Sequence, residues 1–149
     1  MFGMRVLRKR HRALPPVPRP GEVAVGFPAS TAGAVDSDGA SALNKAVWNH
    51  YGTRTIPERP FLDNAMRDNR EKYRRAMKSA AQKVLLGETA MPTVLNKLGL
   101  MAQGDAQRSI RDFSAPPNAP STIAAKGSSQ PLEDTRHMLG AVTYEVRGA

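Results

Sequence analysis

The chain has no cysteine, which excludes a disulfide framework and every cysteine-based zinc site. No apolar run approaches the roughly 20 residues of a membrane span. The N-terminus is basic but lacks the apolar stretch of a secretory signal. These absences lead to the expectation of a protein made in a reducing cytosol, with no membrane partner. Aromatics make up 5% of the 149 residues and apolar residues 40%, low for a globular domain. The core should therefore be small and supported by neighbouring subunits.

Signatures of chemistry are missing too. There is no P-loop, dinucleotide fingerprint, Gly-x-Ser-x-Gly elbow or HExxH. His11, His50 and His137 lie in unrelated contexts, and none has the partners a catalytic role requires. Asp36 and Asp38 in DSDG resemble the start of a calcium loop, but its downstream ligands do not follow. No catalytic, cofactor-binding or metal-binding residue is expected, and the chain reads as a non-enzyme.

Acids are absent from residues 1–20, where Arg5, Arg8, Lys9, Arg10, Arg12 and Arg19 stand. These are six of the 22 Lys and Arg residues, leaving 16 against 13 acids in the rest. Most of the +9 charge thus sits on an arm. Pro15, Pro16, Pro18 and Pro20 exclude a regular helix there and favour an extended segment. A solvated tail, a contact with an acidic partner and a contact with DNA phosphates all fit this arm. Gly3 to Arg8 is an imperfect strand candidate.

Residues 21–149 read as one α+β domain: a small antiparallel sheet packed against helices, one of them long, with long loops. Glu22 to Phe27 alternates as a strand, with Val23, Val25 and Phe27 on one face. Ala29 to Gly39 reads as a loop. Ser41 to Tyr51 predicts an amphipathic helix capped by Ser41, with Leu43, Val47 and Tyr51 inward, Ala46 beside them and Trp48 flanking. Gly52 suits its left-handed end. Pro60 to Leu86 reads as one long helix and Pro92 to Phe113 as another. Ser114 to Pro131 reads as an irregular loop, and Asp134 to Leu139 as a helical turn broken by Gly140. Ala141 to Val146 reads as a second strand. A sheet of two or three such strands is marginal alone, and intersubunit contacts could complete it.

Three segments carry a likeness. They are ALNKAVWNHYGTRTIPERPFL (Ala42 to Leu62), APPNAPSTIAAKGSSQPLEDT (Ala115 to Thr135) and MLGAVTYEV (Met138 to Val146). Their order and spacing resemble the neck and tail-completion proteins that join head to tail in long-tailed bacteriophages. Ile56, Pro57, Arg59, Pro60 and Phe61 match the elbow of that family. Ser121, Thr122, Lys126, Pro131, Leu132, Asp134 and Thr135 match its C-terminal loop. Arg136 departs from it, standing where the family usually has glycine.

The resemblance implies structural work without catalysis. It implies a homo-oligomeric ring between the portal and adaptor side and the tail tube or terminator, surrounding the DNA channel. It also implies a place in the virion, reached by assembly in the host cytoplasm. The arm, the elbow Ile56 to Leu62 and the loop Pro117 to Thr135 are then the expected interfaces. Arg59, between two prolines, reads either as a contact to a neighbouring subunit or as a solvated elbow arginine. A different class of function, a small basic nucleic-acid-binding protein using its N-terminal arm, rests on the run RVLRKRHR.

Overall fold

The alternation of Val23 and Val25 with polar or small neighbours becomes strand β1 (Glu22–Gly26). β1 pairs antiparallel with β2 (Thr143–Arg147), placing Val23 opposite Val146 and Val25 opposite Tyr144. The computed structural model describes residues 21–32, 35, 39–132 and 137–148. The basic arm, the candidate strand at residues 3–8, His11, Asp36, Asp38, Asp134, Thr135 and Arg136 lie outside the described residues. Among the described residues the sheet has these two strands. Between them run α1 (Ala29–Ala32), α2 (Ala42–Tyr51), α3 (Phe61–Asp68), α4 (Arg70–Leu85), α5 (Met91–Asp112), α6 (Pro120–Lys126) and α7 (His137–Ala141). The architecture is α+β, as the sequence pattern predicts.

Helix α5 is the organising element, 22 residues long. Both strands and α3 pack along it. The strands approach closely because Gly99 has no side chain: a Cβ there would lie 2.2 Å from the Tyr144 ring. The same ring reaches along the helix, where the Tyr144 hydroxyl donates to Asn96 Oδ1 at 3.2 Å. Gln103 donates to the Val142 carbonyl at 3.1 Å, satisfying a group that the end of β2 leaves open. Phe61, Ala106, Ile110, Leu132, Met138, Ala46 and Val142 form the buried core. Full burial of a Phe or Ile side chain contributes about 1.5–3 kcal/mol, so Phe61 and Ile110 carry much of this small core.

Several expectations are corrected. The continuous helix over 60–86 is broken at Asn69, which sits at φ −98° and ψ 6°. Its side-chain amide donates back to the Ala65 carbonyl at 2.9 Å, the local competition that makes asparagine a poor helix interior. The loop after Ser114 contains α6, started by Pro120 and ended by Gly127 at φ +70°, an arrangement favoured at both helix ends. The loop after Pro28 contains the short α1. Helix α7 continues through Gly140 to Ala141, and β2 starts at Thr143.

The largest correction concerns α2. Its N-cap is as expected, with Ser41 Oγ accepting from Asn44 N at 3.2 Å. Its inward face is not: Ala42, Ala46 and His50 are buried, while Leu43, Val47, Trp48 and Tyr51 are exposed. Both sets repeat at steps of four, so periodicity describes either face. Close packing against α7 selects the face with small side chains.

Candidate functional site

The elbow between α2 and α3 is built residue by residue. Gly52 ends α2 at φ +72°, and a Cβ there would lie 2.9 Å from Glu58 N. Only glycine meets both conditions without strain. Thr53 then closes a tight turn: its N–H donates to the Ile56 carbonyl at 2.8 Å, and its Oγ1 accepts from Ile56 N at 3.0 Å. Pro60, at φ −77° and ψ 59°, centres an inverse γ-turn in which Phe61 N–H donates to the Arg59 carbonyl at 2.7 Å. The chain thus enters α3 at a fixed angle, with Phe61 1% exposed against the core.

Arg59 occupies the middle of this elbow and is 3% exposed. It is buried, which corrects the reading of a solvated elbow arginine. Its guanidinium reaches the loop nearly sixty residues later. Nε donates to the Pro116 carbonyl at 3.1 Å and Nη2 to the Pro117 carbonyl at 3.3 Å. Nη2 also donates to Asn118 Oδ1 at 3.2 Å, and Nη1 to Asn49 Oδ1 at 2.8 Å. Asn118 in turn donates to the Gln130 carbonyl at 3.1 Å, joining the two ends of the α6 loop. Burial pushes the Arg59 guanidinium below its ordinary pKa. It stays charged regardless, and four oxygen acceptors compensate its lost hydration.

The clamp frames a cavity of about 280 Å³. One wall is the end of α2, with Lys45, Trp48 and Asn49; the next is the elbow, with Thr55, Ile56, Pro57 and Arg59. The opposite wall is the loop, with Asn118, Thr122, Lys126, Pro131 and Leu132. Ile56, Pro57, Arg59, Thr122, Lys126, Pro131 and Leu132 were singled out from two separate motifs, and the fold brings them to one place. Pro60 and Phe61 face elsewhere, with Phe61 in the core. Leu132 is both core and cavity wall. Among the described residues the charged side chains lining the cavity are Lys45, Arg59 and Lys126.

His50 is buried at the end of α2, edge-on to Phe61 with ring centroids 5.4 Å apart. Its Nε2 lies 3.5 Å from Asp63 Oδ2, so it bridges α2 to the first turn of α3.

A second polar cluster was missed from the sequence. Asp105, with its side chain 3% exposed, accepts from Lys72 Nζ at 2.7 Å and Tyr73 Oη at 2.9 Å. It ties α4 to α5. Burial first, then the hydrogen bond and charge of Asp105, push the Tyr73 phenol above its ordinary range. A lone acid on the apolar stripe of α5, opposite a Lys-Tyr pair on α4, was the available signal.

Among the described residues no three His, Asp or Glu side chains gather as a metal site, and no helix is long and apolar enough to cross a membrane. Comparisons with protein families, with characterised proteins and with solved structures find no match to this chain.

Proposed function

We propose that this chain is a structural subunit of the neck of a long-tailed bacteriophage, forming a ring that joins the portal side of the head to the tail and completes the tail. The observation that carries the reading is the meeting of the two motif segments. The elbow Ile56 to Leu62 and the loop Pro117 to Leu132 are remote in sequence, yet Arg59 binds them into one unit around one cavity. A clamp of this kind holds a binding surface rigid from both sides, as a subunit that must fit between two other assemblies requires. The small core and the exposed apolar face of α2 are consistent with a chain that buries further surface on assembly. The basic residues 1–20 suit acidic faces of neighbouring rings or the DNA passing through them.

The test is reconstitution. Heads and tails prepared without this protein should join when the purified chain is added, and electron microscopy should show it as a ring at the junction. Monomers alone and in the presence of both virion parts would overturn the proposal.

The run of six basic residues before residue 21 favours a second reading, non-specific nucleic-acid binding. That reading predicts DNA retention that falls steeply with salt and disappears when residues 1–20 are deleted. Retention unchanged by the deletion would exclude it.

A further inference from the structure

We infer that the outward face of α4 is a contact surface for the phosphates of duplex DNA. Helix α4 carries six of the 16 Lys and Arg residues that follow residue 20, and one of the 13 acids. The rest of residues 21–149 hold ten basic side chains against twelve acids, so the positive charge of the domain is concentrated on this one helix. Arg70, Arg74 and Lys78 recur at steps of four and stand one above the other, about 6 Å apart along the axis. Arg75 lies beside them, and all four are exposed.

Packing fixes which way this face points. On the other side of the helix, Lys72 and Tyr73 bond the buried Asp105 of α5, and Val84 is buried. The basic row is thereby turned away from the core. One carboxylate shares the face: Glu71 accepts from Arg74 at 2.9 Å, with the two side chains 70% and 65% exposed. An ion pair so exposed contributes little and is easily shared with another anion. Among the described residues no carboxylate pairs with Arg70, Arg75 or Lys78. Beyond the two ends of the face the charges balance. Arg67 lies 3.7 Å from Asp68 before α4, and Lys83 and Glu88 border one groove at its end.

The make-up of the face selects the partner. A protein interface is centred on apolar anchors, and Met77 is the one large apolar side chain exposed between Arg70 and Gln82. Single-stranded nucleic acid is held on aromatic platforms. Tyr73 is the one aromatic between Phe61 and Phe113, and its hydroxyl is bound to Asp105. A row of cations on a straight helix suits the phosphate backbone of a duplex, which is bound without regard to sequence. This contact rests on the neck reading above for a duplex within reach, and it is separate from the arm at residues 1–20.

The test is binding of the full chain to a short fluorescein-labelled duplex, read by anisotropy between about 50 and 200 mM salt. Arg70→Gln combined with Lys78→Gln should weaken binding by about tenfold or more at the lower salt, and should lower the salt slope by about two phosphate contacts. The melting temperature should not change, because both sites are exposed. Arg54→Gln combined with Arg111→Gln removes the same charge from exposed positions elsewhere and should weaken binding far less. With Arg5→Gln and Arg8→Gln on the arm, the dependence on Arg70 and Lys78 should persist.

Equal losses in the α4 pair and the Arg54–Arg111 pair would mean that net charge alone acts, and would overturn the surface. Wild-type binding by the α4 pair would overturn it too. If that pair kept its DNA affinity and lost affinity for polyglutamate, the face would belong to an acidic protein and the proposal would fall. The two proposals fail separately. Head–tail joining by a chain whose duplex binding ignores Arg70 and Lys78 sinks the α4 surface and leaves the neck reading standing. Duplex binding that depends on α4, without head–tail joining, does the reverse.

Discussion

The two ends of this molecule are held by different means. Around the elbow, an arginine, two asparagines and several proline-rich turns are tied by directed hydrogen bonds to a core that contains Phe61, Leu132 and Val142. At the far end, α4 buries only Val84, while Met77, Leu85 and Leu86 remain exposed. The first region is over-determined and the second is a helical pair with little core of its own. Stability is therefore expected to be uneven, concentrated where the two sequence motifs meet.

Substitutions in the two regions should differ accordingly. Phe61→Ala removes the largest fully buried side chain and should lower unfolding free energy by about 3–5 kcal/mol, read from urea unfolding. A loss below about 1 kcal/mol would mean that the core is not centred there. Gly99→Ala forces the Tyr144 ring away from α5 and should destabilise by about 1–3 kcal/mol. Tyr144→Ala in the same background should recover part of that loss, because the clash is with the ring.

A smaller effect concerns pH. Tyr73 has a folded-state pKa above its unfolded value. Its contribution is therefore complete below the unfolded value of about 10 and is lost as pH rises through the folded value. Wild type should lose more stability than Tyr73→Phe when urea midpoints are compared below and above about pH 10. Equal losses would remove Tyr73 from the account. Smallest of all, Met77→Ser on the exposed side of α4 should change stability by no more than about 0.5 kcal/mol. A large loss would show that the α4 end is supported as firmly as the elbow.

The same contrast explains what could be read from the sequence. Strand β1, the extents of α2 and α5, and the turn residues Gly52 and Pro60 follow from local pattern and backbone chemistry, and the structure places them within a residue or two of expectation. What was not legible depends on partners distant in sequence. Nothing local says whether Leu43 or Ala42 turns inward, because the choice is made by α7 almost a hundred residues later. The sequence does not mark Arg59 as buried because its acceptors are the backbone carbonyls of two prolines and the side-chain oxygens of two asparagines, which carry no charge pattern. Gly99 stands inside a helix, where glycine is disfavoured, and only the fold shows that the Tyr144 ring occupies the space it leaves. Ile56, Pro57 and Arg59 belong to one sequence motif and Thr122, Lys126, Pro131 and Leu132 to another, and only the fold makes them line one cavity.

The claim on which the rest depends is that Arg59 works inside the chain, joining elbow to loop. Thermal unfolding of dilute Arg59→Ala tests it most directly. The substitution leaves Asn118 and Asn49 without their donor, so a loss of about 2–3 kcal/mol is expected. At about 2–4 °C per kcal/mol for a chain of this size, the melting temperature should fall by roughly 5–10 °C and should not depend on protein concentration. An unchanged melting temperature, with self-association lost instead, would contradict the account and return Arg59 to the subunit surface.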